Sequence, residues 1–143
     1  MKIDLNILNK YKKDGWLINQ QHPTLPLTIW NYSHKTQFDK YWDNITIMCR
    51  GLITDNETGE IVALPFKKFW NIEEKMHKAT PNFKVFKKMD GSLIILFNYK
   101  NEWIIASRGS FISEQALKAI EMLHNKNLLE LDKNYTYLFE IIY

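Results

Sequence analysis

Lys87-Lys88-Met89-Asp90-Gly91-Ser92 sits between two apolar runs, Phe83 to Phe86 and Leu93 to Tyr99. Asp90-Gly91 between strand-like runs reads as a tight β-turn, because glycine accepts a positive φ and aspartate can hydrogen-bond its own backbone. Such a turn can also present a nucleophile. If 86 to 88 is extended, Lys87 and Lys88 point to opposite faces, so one amine can enter an enclosed pocket while the other meets solvent. An ordinary lysine, with a pKa of about 10.4, is protonated at neutral pH and attacks poorly. Desolvation and nearby cations lower that value, and Arg50, Arg108 or a bound metal would provide the charge.

Of the 19 basic residues only Arg50 and Arg108 are arginine. Lysine cannot supply a planar two-handed fork for phosphate, which singles out those two positions. Arg50 lies in Cys49-Arg50-Gly51, inside an apolar run, where a buried guanidinium needs an anionic partner: a carboxylate of the chain, or a site that receives phosphate. Arg108 ends the run Glu102 to Ser107. Glu140 shares a strand face with Leu138 and Ile142, where a carboxylate is costly unless paired, so it is either a partner for Arg or Lys or a ligand for a ribose hydroxyl. Phe66-Lys67-Lys68-Phe69-Trp70-Asn71 interleaves aromatics and lysines; it can stack on bases and hold phosphates, or form a half-buried strand with a basic outer face.

The elements that must position these residues follow from periodicity and punctuation. Asp4 to Lys13 has near-helical apolar spacing and stops at Gly15. Leu27 to Trp30 reads as a strand and Gln37 to Trp42 as a helical turn. Ile45 to Thr54 and Glu60 to Leu64 read as a hairpin around Asp55-Asn56-Glu57-Thr58-Gly59. Glu73 to Lys78 reads as a helical turn. Phe83 to Lys88, Leu93 to Tyr99 and Glu102 to Ser107 read as strands, the last two joined at Lys100-Asn101. Ser113 is a fitting N-cap for a helix to about Asn125, with Glu114 in its first turn. Tyr135 to Tyr143 reads as a final strand. The fold class is α+β, a mostly antiparallel sheet with few helices.

At 143 residues, 45% hydrophobic and 14% aromatic, the chain suffices for one moderate core, and one domain is the default. The net charge of +3 permits a polyanionic partner without demanding one. The lone Cys49 excludes an internal disulfide and fits a reducing compartment, so the expected location is cytoplasmic and the four Asn-x-Ser/Thr triplets are expected to stay unglycosylated. His22, His34, His77 and His124 are scattered, without metal-ligand spacing; no metal-binding residue is expected. No apolar run reaches membrane-spanning length and the amino terminus does not open like a signal peptide.

The odd residues together resemble the phage-T4-type family of ATP-dependent RNA ligases that seal broken tRNA. The resemblance rests on Cys49-Arg50-Gly51 followed by a hairpin, Lys68-Phe69-Trp70-Asn71, Lys88-Met89-Asp90-Gly91-Ser92, Ser107-Arg108-Gly109-Ser110 and Phe139-Glu140, in order from about Leu27 to Tyr143. Lys88 to Gly91 is the Lys-x-Asp-Gly signature of covalent nucleotidyltransferases. The resemblance implies the amino-terminal portion, 1–143, of a nucleotidyltransferase domain of the ATP-grasp-like ligase type. It implies that Lys88 carries AMP from ATP, with Asp90 and Gly91 in the same motif. Arg50 and Arg108 would contact phosphate or the RNA end, Phe69 would lie against the nucleotide, and Glu140 would bind the ribose. ATP and, in the complete enzyme, Mg²⁺ are the implied cofactors. RNA ends, including those of tRNA, are the implied partners.

Family members continue with a Glu-Gly motif and a Lys-x-Lys pair that are absent from these residues, so the 143 residues are expected to be an incomplete ligase, inactive in strand joining. Trp70 stands where the family commonly has a second Phe, which keeps an aromatic surface. Competing readings are a DNA ligase or mRNA-capping enzyme, a non-catalytic nucleic-acid-binding module, and a structural piece that self-associates through an open sheet edge.

Overall fold

The computed structural model describes residues 1–76, 78 and 80–143. Helix α1 (Leu5–Lys13) is capped by Asp4, whose carboxylate accepts from the Asn6 N–H at 2.8 Å. Strands β1 (Leu17–Gln21) and β2 (Leu27–Tyr32) follow, then α2 (His34–Asp39), α3 (Asn44–Met48), β3 (Arg50–Asp55) and β4 (Ile61–Ala63). After an irregular segment with a short 3-10 turn at Ile72–Glu74 come β5 (Ser92–Tyr99), β6 (Glu102–Ser107), α4 (Glu114–Leu123) and β7 (Tyr137–Ile141).

The α+β, antiparallel expectation holds, with two sheets rather than one. The first runs β1-β2-β3-β4 and the second β6-β5-β7, all neighbours antiparallel. Side-chain alternation sends one face of each sheet into a shared core: Leu27, Ile29 and Ile53 meet Ile95, Phe97 and Ala106. The outer face of the first sheet packs Trp30 and Leu52 under Leu8 of α1. The outer face of the second packs Ile94 and Ile141 against Ala119 of α4. Four layers result, helix, sheet, sheet and helix, so loops at one end of the two sheets are held close together.

Four local readings require correction. Ile45 to Thr54 is not one strand. Asp43 accepts from the N–H groups of Ile45 and Thr46, and the Thr46 hydroxyl accepts from the Asp43 N–H, a reciprocal cap that starts α3 in spite of its β-branched residues. The chain becomes extended only at Arg50. The stretch 83–88 is irregular and exposed rather than a strand, because β6 and β7 already occupy both sides of β5; Asp90-Gly91 is therefore not a hairpin turn. Phe66 to Asn71 is likewise irregular. The helical turn expected over Glu73 to Lys78 is a 3-10 turn that starts earlier and ends sooner, over Ile72–Glu74, and His77 lies outside the described residues. Strand β1 went unpredicted; its polar residues Asn19, Gln20 and Gln21 hide the alternation.

Elsewhere pattern and structure agree. Ser113 caps α4 through the Ala116 N–H. Lys100 and Asn101 both take positive φ, 50° and 68°, the two-residue turn that matches strand twist in the β5–β6 hairpin.

Candidate nucleotide and RNA-end site

One broad cleft of about 1330 Å³ opens beside the two sheets and is lined from several distant segments. Arg50 enters from the start of β3, Phe69 from the irregular stretch after β4, and Lys88 and Gly91 from the approach to β5. Arg108 enters from the end of β6 and Glu140 from β7. Six of the seven residues singled out in the sequence thus share one concavity. The seventh, Asp90, is exposed and does not line it. Lys87 also lines the cleft, and both neighbouring lysines are exposed, since their segment is not a strand that would force them to opposite faces.

The two guanidinium groups lie against aromatic rings rather than against carboxylates. Arg50 is half-buried with its Cζ 4.9 Å from the centre of the Phe69 ring. Arg108 lies over Tyr32 at 5.9 Å. Among the described residues the one ion pair is Lys118 with Glu121 on α4, so neither arginine is neutralised by the chain. Of the two alternatives for Arg50, the carboxylate partner is not the one realised. A guanidinium stacked on an aromatic face keeps its in-plane N–H groups free for an anion.

Why the two arginines approach is visible in the backbone. Gly51 has φ +88°, and a Cβ there would lie 3.0 Å from Ile95 Cδ1 and 3.4 Å from both Cγ and the carbonyl oxygen of Arg108. The glycine after Arg50 therefore admits the Arg108 segment against β3. Asn31, opposite Arg50 in the β2–β3 pairing at a register shift, donates its side-chain amide to the Arg108 carbonyl at 2.9 Å. Its Oδ1 is buried without a partner. Sequence reasoning missed Asn31, Gly51 and Tyr32; the glycine directly after Arg50 was the available signal for a tight approach.

Gly91 serves a different close contact. A Cβ at this position would overlap the Ile141 carbonyl oxygen and approach Ile142 Cγ1 at 3.1 Å and Glu140 Cγ at 3.2 Å. Its φ is not in the left-handed region, so the glycine is required by the strand beside it and not by a turn. Lys88, three positions ahead of this contact between the start of β5 and the end of β7, lines the cleft. Glu140 is exposed at the cleft wall, so the burial cost anticipated for a carboxylate on an apolar strand face does not arise.

The family model described as RNA ligase, of the T4 type, matches residues 48–143. The chain belongs to this RNA ligase family. A viral relative, "Putative bifunctional polynucleotide kinase/RNA ligase" of Autographa californica nuclear polyhedrosis virus, is 33% identical over 101 residues, covering 62% of this chain. The chain spans 14% of that relative's length. The match to the family begins just before Cys49-Arg50-Gly51 and takes in every cleft residue named above.

Proposed function

We propose that the cleft is the nucleotide and RNA-end site of an ATP-dependent RNA ligase, with Lys88 as the residue that carries AMP. The observation that carries this reading is the convergence of Arg50, Lys88, Arg108 and Glu140 on one concavity, with both guanidinium groups free of carboxylate partners among the described residues. In the first step the neutral Lys88 amine attacks the α-phosphorus of ATP. A P–N bond forms, the α–β phosphoanhydride breaks, pyrophosphate leaves and the amine proton is lost. An RNA 5′-phosphate oxygen then displaces Lys88 from phosphorus, and a 3′-hydroxyl finally displaces AMP to close the strand. Arg50 and Arg108 stabilise charge as it gathers on the phosphoryl oxygens. Glu140 takes the ribose hydroxyls, and Phe69 backs both the nucleotide and the Arg50 fork.

Glu140 is the carboxylate in the cleft lining, and among the described residues no three His, Cys, Asp or Glu side chains cluster as a metal-binding group. With that carboxylate given to the ribose, the lining fits Mg²⁺ held by nucleotide phosphates and water. When bound there, the ion neutralises phosphate charge.

The test is to incubate the chain with Mg²⁺ and ATP labelled at the α-phosphate, then map the label by peptide digestion. Label on Lys88 that is lost in Lys88→Ala and kept in Lys87→Ala is expected. Label on Lys87 would overturn the assignment. GTP in place of ATP separates this reading from a capping enzyme. Nicked RNA against nicked DNA as the substrate separates it from a DNA ligase.

A further inference from the structure

A second hollow, of about 360 Å³, lies between α2 with its exit and the irregular stretch after β4, and nothing in the proposed adenylyl transfer uses it. Its walls are the indoles of Trp42 and Trp70, set edge to face with centroids 5.8 Å apart and planes at 88°. The Lys68 ammonium lies 5.5 Å from the Trp42 ring centre and 5.3 Å from that of Trp70. Lys40, the left-handed residue ending α2, and Gln37 come from the other side. Glu74 also lines the hollow, and its carboxylate accepts the Asn71 N–H at 2.7 Å, closing the 3-10 turn that holds this wall in place.

We propose that this hollow binds a nucleotide unit of a single-stranded RNA whose end lies in the Lys88 cleft. The inference rests on the RNA-joining reading of that cleft. Three observations converge on this occupant. Indole faces stack on any base without demanding a sequence. Two lysines against one already engaged carboxylate leave the hollow cationic, and the Gln37 amide offers both donor and acceptor to a base edge. Lys68 lines both the hollow and the cleft, so a phosphate it holds is shared between a base stacked beside the indoles and a strand entering the cleft. Lys88 does not line the hollow, so the nucleotide seated there is not the one transferred to Lys88. A duplex presents no unstacked base and does not fit.

The experiment titrates a fluorescein-labelled oligouridylate into the chain across a salt series, beside the same strand in a duplex and beside free AMP. Lys40→Ala is expected to weaken single-strand binding and lower the slope of log affinity against log salt by about one. Trp70→Leu is expected to weaken it about tenfold, with intrinsic tryptophan quenching by the oligonucleotide reduced. AMP attachment to Lys88 is expected to persist in Lys40→Ala. Single-strand affinity unchanged at every salt concentration in Lys40→Ala, or a duplex bound as tightly as the single strand, overturns the inference and leaves the Lys88 reading standing. Absence of AMP on Lys88 together with the expected loss of single-strand binding in both variants overturns the cleft reading and retains the hollow as an RNA site.

Discussion

The side-chain amide of Asn31 and the main-chain carbonyl of Arg108, 77 positions apart, are joined by a 2.9 Å hydrogen bond. This bond ties the end of β6 in one sheet to β2 in the other, beside Arg50 on β3. Packing between the sheets fixes their separation, but this polar tie fixes where the Arg108 backbone ends and hence where its guanidinium starts.

Removing the Asn31 donor is expected to cost on two counts. Asn31→Ala leaves the Arg108 carbonyl unpaired in a partly buried place, a loss of about 1–3 kcal/mol, measured by urea unfolding. Nucleotide affinity, followed by calorimetric titration with ATP, is expected to fall as well. Asn31→Leu keeps about the same bulk and loses the donor without adding charge, so it should behave like the alanine variant. An unchanged unfolding midpoint in both would show that the bond carries no weight.

Two glycines in the site segments make a matched pair. Gly91→Ala forces a methyl group onto the Ile141 carbonyl and the flank of Glu140, so β7 must move. A stability loss of about 1–3 kcal/mol is expected from such overpacking, together with impaired nucleotide binding through the displaced Glu140. At Gly109 an added Cβ meets nothing within 4 Å, and Gly109→Ala should unfold at the parent temperature. Thermal melts of the two variants side by side decide the point; equal shifts would refute the steric account of Gly91.

Much of this was written in the chain, and the failures have physical causes. The apolar spacing of Asp4 to Lys13 and the Ser113 cap announced α1 and α4, and the cleft residues Arg50, Lys88, Arg108 and Glu140 stood out as charges next to apolar runs. What stayed hidden was cooperative. Asp43 and Thr46 cap each other and override the strand preference of Ile45 and Ile47. The apolar run Phe83 to Phe86 looks like a strand, yet it finds no free edge of β5 to pair with. Asn31 carries no local signal at all, because its partner is set by how two sheets stack.

Acid is expected to loosen the fold through two carboxylates. Burial pushes Asp43 up, but N–H donation from Thr46 and Ile45 and the hydroxyls of Tyr11 and Thr46 outweigh it and hold the group below its usual range. At Asp55 burial is likewise outweighed by the Glu57 and Thr58 N–H groups, the Tyr99 hydroxyl and the Lys100 charge. Both folded values lie below the unfolded ones, so this stability is present in full above the ordinary carboxylate pKa of about 4 and is lost as pH falls through the lowered values. Asp55→Asn should flatten the acid limb of the stability profile measured by urea unfolding between neutral pH and strong acid. A profile of unchanged slope in this variant would exclude Asp55 as a source.

Cys49 gives a readout of the first sheet's outer core. It is fully buried, and burial with the nearby Asp43 charge pushes its thiol up to about 12. The thiolate needed for alkylation is therefore scarce at pH 8. Iodoacetamide labelling should follow unfolding, rising across the urea transition; rapid labelling of the native chain would show that α3 and β3 open locally.

The arginines are expected to tolerate lysine badly. Arg50 stacks on Phe69 at 4.9 Å, and Arg108 rests over Tyr32, so each ring orients a planar fork that an ammonium lacks. Arg50→Lys and Arg108→Lys should each slow AMP attachment to Lys88 on the order of 100-fold, the scale of losing one positioned donor to the developing phosphoryl charge. Phe69→Ala keeps the guanidinium and loses its backing, so its effect should be smaller and fall on nucleotide affinity. Single-turnover labelling across ATP concentrations separates the two quantities. If both lysine variants retain the parent rate, positive charge alone suffices, and the fork geometry built by Gly51, Asn31 and the two rings has no part in the transfer.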